Sequence, residues 1–167
     1  MNFPIPEFLR KKMNEMISGD ETELEEDFTE GVSQEELEKL PVYQALRDSV
    51  KDGMTLDQLI DAFAAMCRLP VGEPDDLLFE TGTFGFTGKK LFYFSLVRQF
   101  QYKSEDEYVQ LHLDVRYAPS PATRRMECTE WASLTEGDFF SMVRSCEAYR
   151  AVKDAPIAEL SVYIEET

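Results

Sequence analysis

The chain has 167 residues, 43% of them hydrophobic and 12% aromatic, with 33 acids against 17 bases and a formal net charge of -16. That length and composition fit one folded domain and exclude disorder throughout, and a surface this negative repels nucleic-acid phosphate and anionic lipid while attracting basic partners or cations. Its apolar runs are too short to span a membrane, and residues 1–16 lack the apolar stretch and cleavage site of a signal peptide, so a soluble, cytoplasmic protein is expected.

Pro4 and Pro6 open the chain, and Phe8, Leu9, Met13, Met16 and Ile17 predict a short amphipathic helix over residues 7–17. A basic gap follows. Between Lys12 and Lys39 there is no Lys, Arg or His, and Glu15, Asp20, Glu21, Glu23, Glu25, Glu26, Asp27, Glu30, Glu35, Glu36 and Glu38 lie in that gap. Within residues 20–31 only Leu24 and Phe28 are apolar, so like charges oppose packing and an exposed linker is expected.

Ser33 and Glu36 have the spacing of a capping box and predict a helix start. Leu37 and Leu40 begin its stripe, Pro41 interrupts it, and Tyr43, Leu46 and Val50 carry it on to Gly53, expected as the C-terminal stop. Thr55 and Gln58 form a second box. Leu56, Leu59, Ile60, Phe63, Met66 and Cys67 then recur at helical spacing until Pro70.

Beyond Pro74, Asp75 and Asp76 the hydrophobic period shifts from that of a helix to that of a strand. Strands are expected over residues 77–86, 90–102 and 107–117, joined by a glycine-rich turn at Gly88 and a charged turn at Ser104, Glu105 and Asp106. In the second, Phe92, Phe94, Leu96, Phe100 and Tyr102 share a face on which Arg98 is the exception. A loop with Pro119 and Pro121, a fourth strand over 124–132, a helix over 135–152 and a fifth strand over 157–164 complete the chain. Short connections favour sequential pairing of the first four strands. The expected fold is α+β: N-terminal helices, then a mostly antiparallel sheet of four or five strands with a C-terminal helix on one face. One domain spans 1–167, with an acidic helical part (1–72) and a β-rich part (76–167). Residues 1–76 carry a net -12 and residues 77–167 a net -4.

Several patterns invite a chemical reading. The run from Gly82 to Lys90 resembles a phosphate-binding loop only superficially. Its glycine spacing is one residue too long, Lys90 stands where Ser or Thr should hold magnesium, and a strand follows where a helix must start. Cys67, Cys128 and Cys146 are too scattered for a zinc site or a CxxC pair, and free thiols in a reducing compartment are expected. The acidic stretch lacks the glycine at the sixth position of a calcium loop. No metal or cofactor is therefore expected.

Two surfaces remain. The acids Asp20, Glu21, Glu23, Glu25, Glu26, Asp27 and Glu30 form a candidate docking element for a basic protein, with Leu24 and Phe28 as apolar anchors. The polar side of the third strand, Gln110, His112, Asp114 and Arg116, forms a second candidate contact face beside Tyr93, Ser95, Gln99 and Gln101. The leading expectation is a non-enzymatic binding protein of inhibitor, immunity or chaperone type that engages a basic partner. The alternative is a small-molecule-binding or hydrolase-like domain in which His112 and Asp114 act as base and orienting group, with Ser95, Glu127, Thr129 and Tyr163 as candidate neighbours. A third reading has the acids imitating the phosphate spacing of a nucleic acid.

Overall fold

The computed structural model describes residues 32–86, 89–126, 128–133 and 136–167. The helix expected at 7–17 and the acidic stretch at 20–31 lie outside the described residues. In chain order the elements are helices α1 (Gln34–Leu37), α2 (Pro41–Ser49) and α3 (Leu56–Met66), then strands β1 (Gly72–Phe86), β2 (Lys89–Gln101) and β3 (Tyr108–Tyr117). A 3-10 turn (Thr123–Arg125), β4 (Thr129–Ser133), α4 (Glu136–Ser145), α5 (Glu147–Val152) and β5 (Ile157–Glu166) follow. This is an α+β fold with one five-stranded antiparallel sheet in the order β4-β1-β2-β3-β5.

The caps explain where the helices begin. At α3, Gln58 N donates to Thr55 Oγ1 at 3.2 Å and Thr55 N donates to Gln58 Oε1 at 3.0 Å, closing the expected capping box. At α1 only half of the box forms. Glu36 N donates to Ser33 Oγ at 3.2 Å, but the Glu36 carboxylate turns to Tyr102 OH (2.7 Å) and Lys103 Nζ (2.6 Å). Pro41 opens α2, where its missing N–H costs nothing. Helix α2 ends at Ser49, earlier than expected, and Gly53 with φ of 90° serves the turn into α3 instead.

The rest of the chain departs from the expected layout in four places. Strand β1 starts at Gly72 rather than at residue 77, because Pro74 falls in the register shift between Gly72 and Asp75, where the ladder does not need its N–H. The fourth strand is shorter than expected. Ser120 and Thr123 tie residues 123–125 into a 3-10 turn, through Ser120 N to Thr123 Oγ1 (2.8 Å) and Arg124 N to Ser120 O (2.9 Å). Strand β4 also pairs with β1, from Leu77↔Ser133 to Thr81↔Thr129, rather than with β3. The second edge of β3 is taken by β5 over a longer ladder, from Val109↔Glu166 to Tyr117↔Ile157. Finally, the helix expected over 135–152 is two helices. Cys146 adopts extended backbone (φ -75°, ψ 154°) and caps α5, its Sγ accepting from Tyr149 N at 3.3 Å.

All five described helices contribute to one apolar core on one face of the sheet. Leu37, Leu46, Phe63, Phe139 and Val152 meet Phe79, Phe94, Leu96, Leu111 and Leu113 there. Arg98, the exception on that face, is 2% exposed. Its guanidinium holds Asp75 through two bonds of 3.0 and 2.8 Å and donates to Met66 O at 3.0 Å and Leu69 O at 2.9 Å. The buried charge thereby locks the end of α3 to the start of β1. A second clamp lies nearer the surface. Arg144 binds Asp57 (2.9 Å) and Asp61 (2.6 Å) on α3, and Tyr149 OH donates to Asp57 at 2.8 Å. The Arg144 and Tyr149 hydrogen bonds hold the Asp57 carboxyl below its ordinary pKa.

Candidate functional site

Antiparallel topology sorts the charges along the strand axis. At one end lie the start of β1, the β2–β3 turn, the end of β5 and helix α1. Glu73, Asp75 and Asp76 come from the first, Glu105, Asp106 and Glu107 from the second, Glu165 and Glu166 from the third, and Glu35, Glu36 and Glu38 from the fourth. Hydrogen bonds tie these pieces together. Gln34 Nε2 donates to Ile164 O at 2.7 Å, Val32 N to Glu166 Oε2 at 3.3 Å, and Thr167 N to Tyr108 O at 3.0 Å. Lys39 and Lys103 partly balance this end by pairing with Glu35 and Glu36. The Lys103 contact, followed by that from Tyr102, lowers the Glu36 pKa. Val32, to which the acidic stretch connects, is anchored at this same end.

At the opposite end Arg124 sits in the 3-10 turn and Lys153 precedes β5. Arg116 lies there too, paired with Asp114 at 3.1 Å and Glu159 at 3.2 Å.

The second candidate face is not the solvated surface that strand alternation predicts. His112 is 0% and Asp114 1% exposed, Tyr93 and Ser95 are equally withdrawn, and Gln110 and Arg116 are half-buried. His112 stacks on Tyr163, with ring centroids 4.3 Å apart, and its Nε2 lies 3.4 Å from Glu165 Oε1. Asp114 instead accepts from Ser95 Oγ at 2.8 Å and from Arg116 Nε at 3.1 Å. Gln110 Nε2 donates to Gln99 Oε1 at 2.7 Å, and Tyr93 OH sits 3.2 Å from Cys128 Sγ. Of the candidate neighbours of His112, Ser95 and Tyr163 join this polar layer. Thr129 lies on the helix-covered side opposite Thr81, and Glu127 is outside the described residues. Burial raises the Tyr93 and Tyr163 phenols above their usual range, which leaves them neutral donors rather than bases.

The cysteines are free and half-buried. Burial pushes the Cys67 thiol up to about 12 and raises Cys128 and Cys146 as well, so at neutral pH none is a thiolate nucleophile. Among the described residues no group of His, Cys, Asp and Glu is arranged to hold a metal ion, and no helix is long and apolar enough to cross a membrane.

Two cavities are lined by described residues, and His112 lines neither of them. One, of about 590 Å³, lies between the α2–α3 turn and the start of β5. The other, of about 940 Å³, lies between β1, β4, the 3-10 turn and the α4–α5 junction. Sequence reasoning missed this second space because it depends on β4 returning to β1 and on the break at Cys146. The nearest signal was the single tryptophan, Trp131, on a short edge strand.

No family model, curated protein or solved structure matches this chain.

Proposed function

We propose that this is a non-enzymatic acidic domain that binds a basic protein. The observation carrying this reading is the convergence of acids from α1, β1, the β2–β3 turn and β5 at the end of the sheet where Val32 stands. The further acids Asp20, Glu21, Glu23, Glu25, Glu26, Asp27 and Glu30 precede Val32 in the chain and carry charge of the same sign. Such a field steers a cationic partner towards one end of the molecule and raises the encounter rate. His112 and Asp114, being buried, serve the polar layer inside the fold. Partner contact falls to the acids.

The test is capture from a lysate by two forms of the full chain. One is native, and in the other those seven acids of residues 20–30 are replaced by Asn or Gln. A basic protein retained by the native chain, lost from the neutralised one and released as ionic strength rises supports the reading. Retention unaffected by neutralisation and by salt, or capture of acidic proteins, contradicts it.

A further inference from the structure

The larger cavity has the features of a small-molecule site. Its floor is the cross-strand pair Thr81↔Thr129 with Phe79 and Trp131 beside it, the two rings 5.4 Å apart and tilted by 47°. Thr81 and Phe79 are buried in this floor, so the half-buried Trp131 and Thr129 are the strand side chains that face the space. Opposite, Ala148 and Ala151 of α5 present only methyl groups, which do not fill the cleft of about 940 Å³. Cys146, extended between α4 and α5, lines it as well. Arg150 lines the mouth, is exposed, and makes no ion pair among the described residues, whereas Arg98, Arg116 and Arg144 are all paired. A guanidinium with no ion pair among the described residues thus stands at the rim of this space, on the side of the 3-10 turn that carries Arg124.

We propose that this cavity binds a flat aromatic molecule bearing one anionic group. The ring system lies against Trp131, the anion meets Arg150, and the half-buried Thr129 hydroxyl orients the inner end. The volume suits a drug-sized ligand held in an open cleft with both polar and apolar groups in its lining. Glu147, also at the mouth, disfavours a second negative charge.

Trp131 is the chain's single tryptophan, so its fluorescence reports on this cavity alone. The experiment titrates the full chain with 2-naphthoate and with its neutral counterpart naphthalene-2-carboxamide. Saturable quenching by naphthoate is expected, with the carboxamide about tenfold weaker because it lacks the charge-assisted contact. Arg150→Gln should weaken naphthoate about tenfold and leave the carboxamide unchanged, and Ala151→Phe should abolish both by filling the space. Arg68→Gln, an exposed base elsewhere, should leave binding as it was. Circular dichroism confirms that each variant is folded, and because Arg150 is exposed its substitution stands as a test even if Ala151→Phe does not fold. Absence of saturable quenching, or naphthoate binding equally to native chain and Arg150→Gln, overturns the proposal.

Discussion

Arg98 concentrates in one side chain much of what joins the helical and β-rich parts of the chain. Its charge is buried, but a two-pronged carboxylate contact and two carbonyls satisfy it. Arg98→Ala removes the charge and strands the carbonyls of Met66 and Leu69, and should destabilise the fold by about 3–5 kcal/mol in a denaturant melt. The position was visible in the sequence as the one charge on an apolar strand face, although its partners were not. They come from a helix end and a bulged strand start whose meeting depends on tertiary packing. Gly82 teaches a related lesson. The glycines of β1 suggest relieved crowding, and the fold identifies the neighbour: a Cβ at Gly82 would stand 2.7 Å from the Tyr93 hydroxyl. Gly82→Ala should cost about 1–3 kcal/mol through overpacking, read by the same melt, and Gly82→Ala with Tyr93→Phe should recover part of it.

Among the elements, the helix pair α3–α4 carries a pH-dependent tie. Asp57 has a folded-state pKa below its unfolded value, so in the window between the two the unfolded chain binds more protons and stability rises with pH. The contribution is complete above the ordinary carboxylate range, near pH 4, and fades as pH falls through the lowered value. Melting temperatures of the native chain and Asp57→Asn, followed from pH 7 to pH 2, should differ at neutral pH and converge in acid. A gap that persists unchanged at pH 2 contradicts the assignment. The relief of overall repulsion on acidification acts on both proteins alike and drops out of the comparison. The helices themselves were legible because 3.6-residue periodicity and the Thr55–Gln58 box are local signals. The division of the last helix was not, since Cys146 as a cap has no strong sequence signature. Nor was the placement of β4, because a short edge strand can pair with either end of a sheet and only the longer β3–β5 ladder decides against one of them.

For the whole molecule, the governing feature is charge sorted by topology. The gap in basic residues between Lys12 and Lys39 is compositional and could be read directly, and it motivates the proposal of a basic partner. Its reinforcement by Glu73, Glu105, Asp106, Glu165 and Glu166 could not be read, because those residues are distant in sequence and meet only through antiparallel pairing. The reading of Gln110, His112, Asp114 and Arg116 as a contact face ran into the opposite difficulty. Alternation reveals which residues share a side of a strand but not whether that side meets water. The most direct measurement is the association rate of the captured basic protein with the full chain as ionic strength rises from about 0.05 to 0.5 M, where screening shortens from roughly 14 to 4 Å. Association should slow at least tenfold while dissociation changes little, the signature of electrostatic steering. An association rate that stays flat across that range would contradict the central claim.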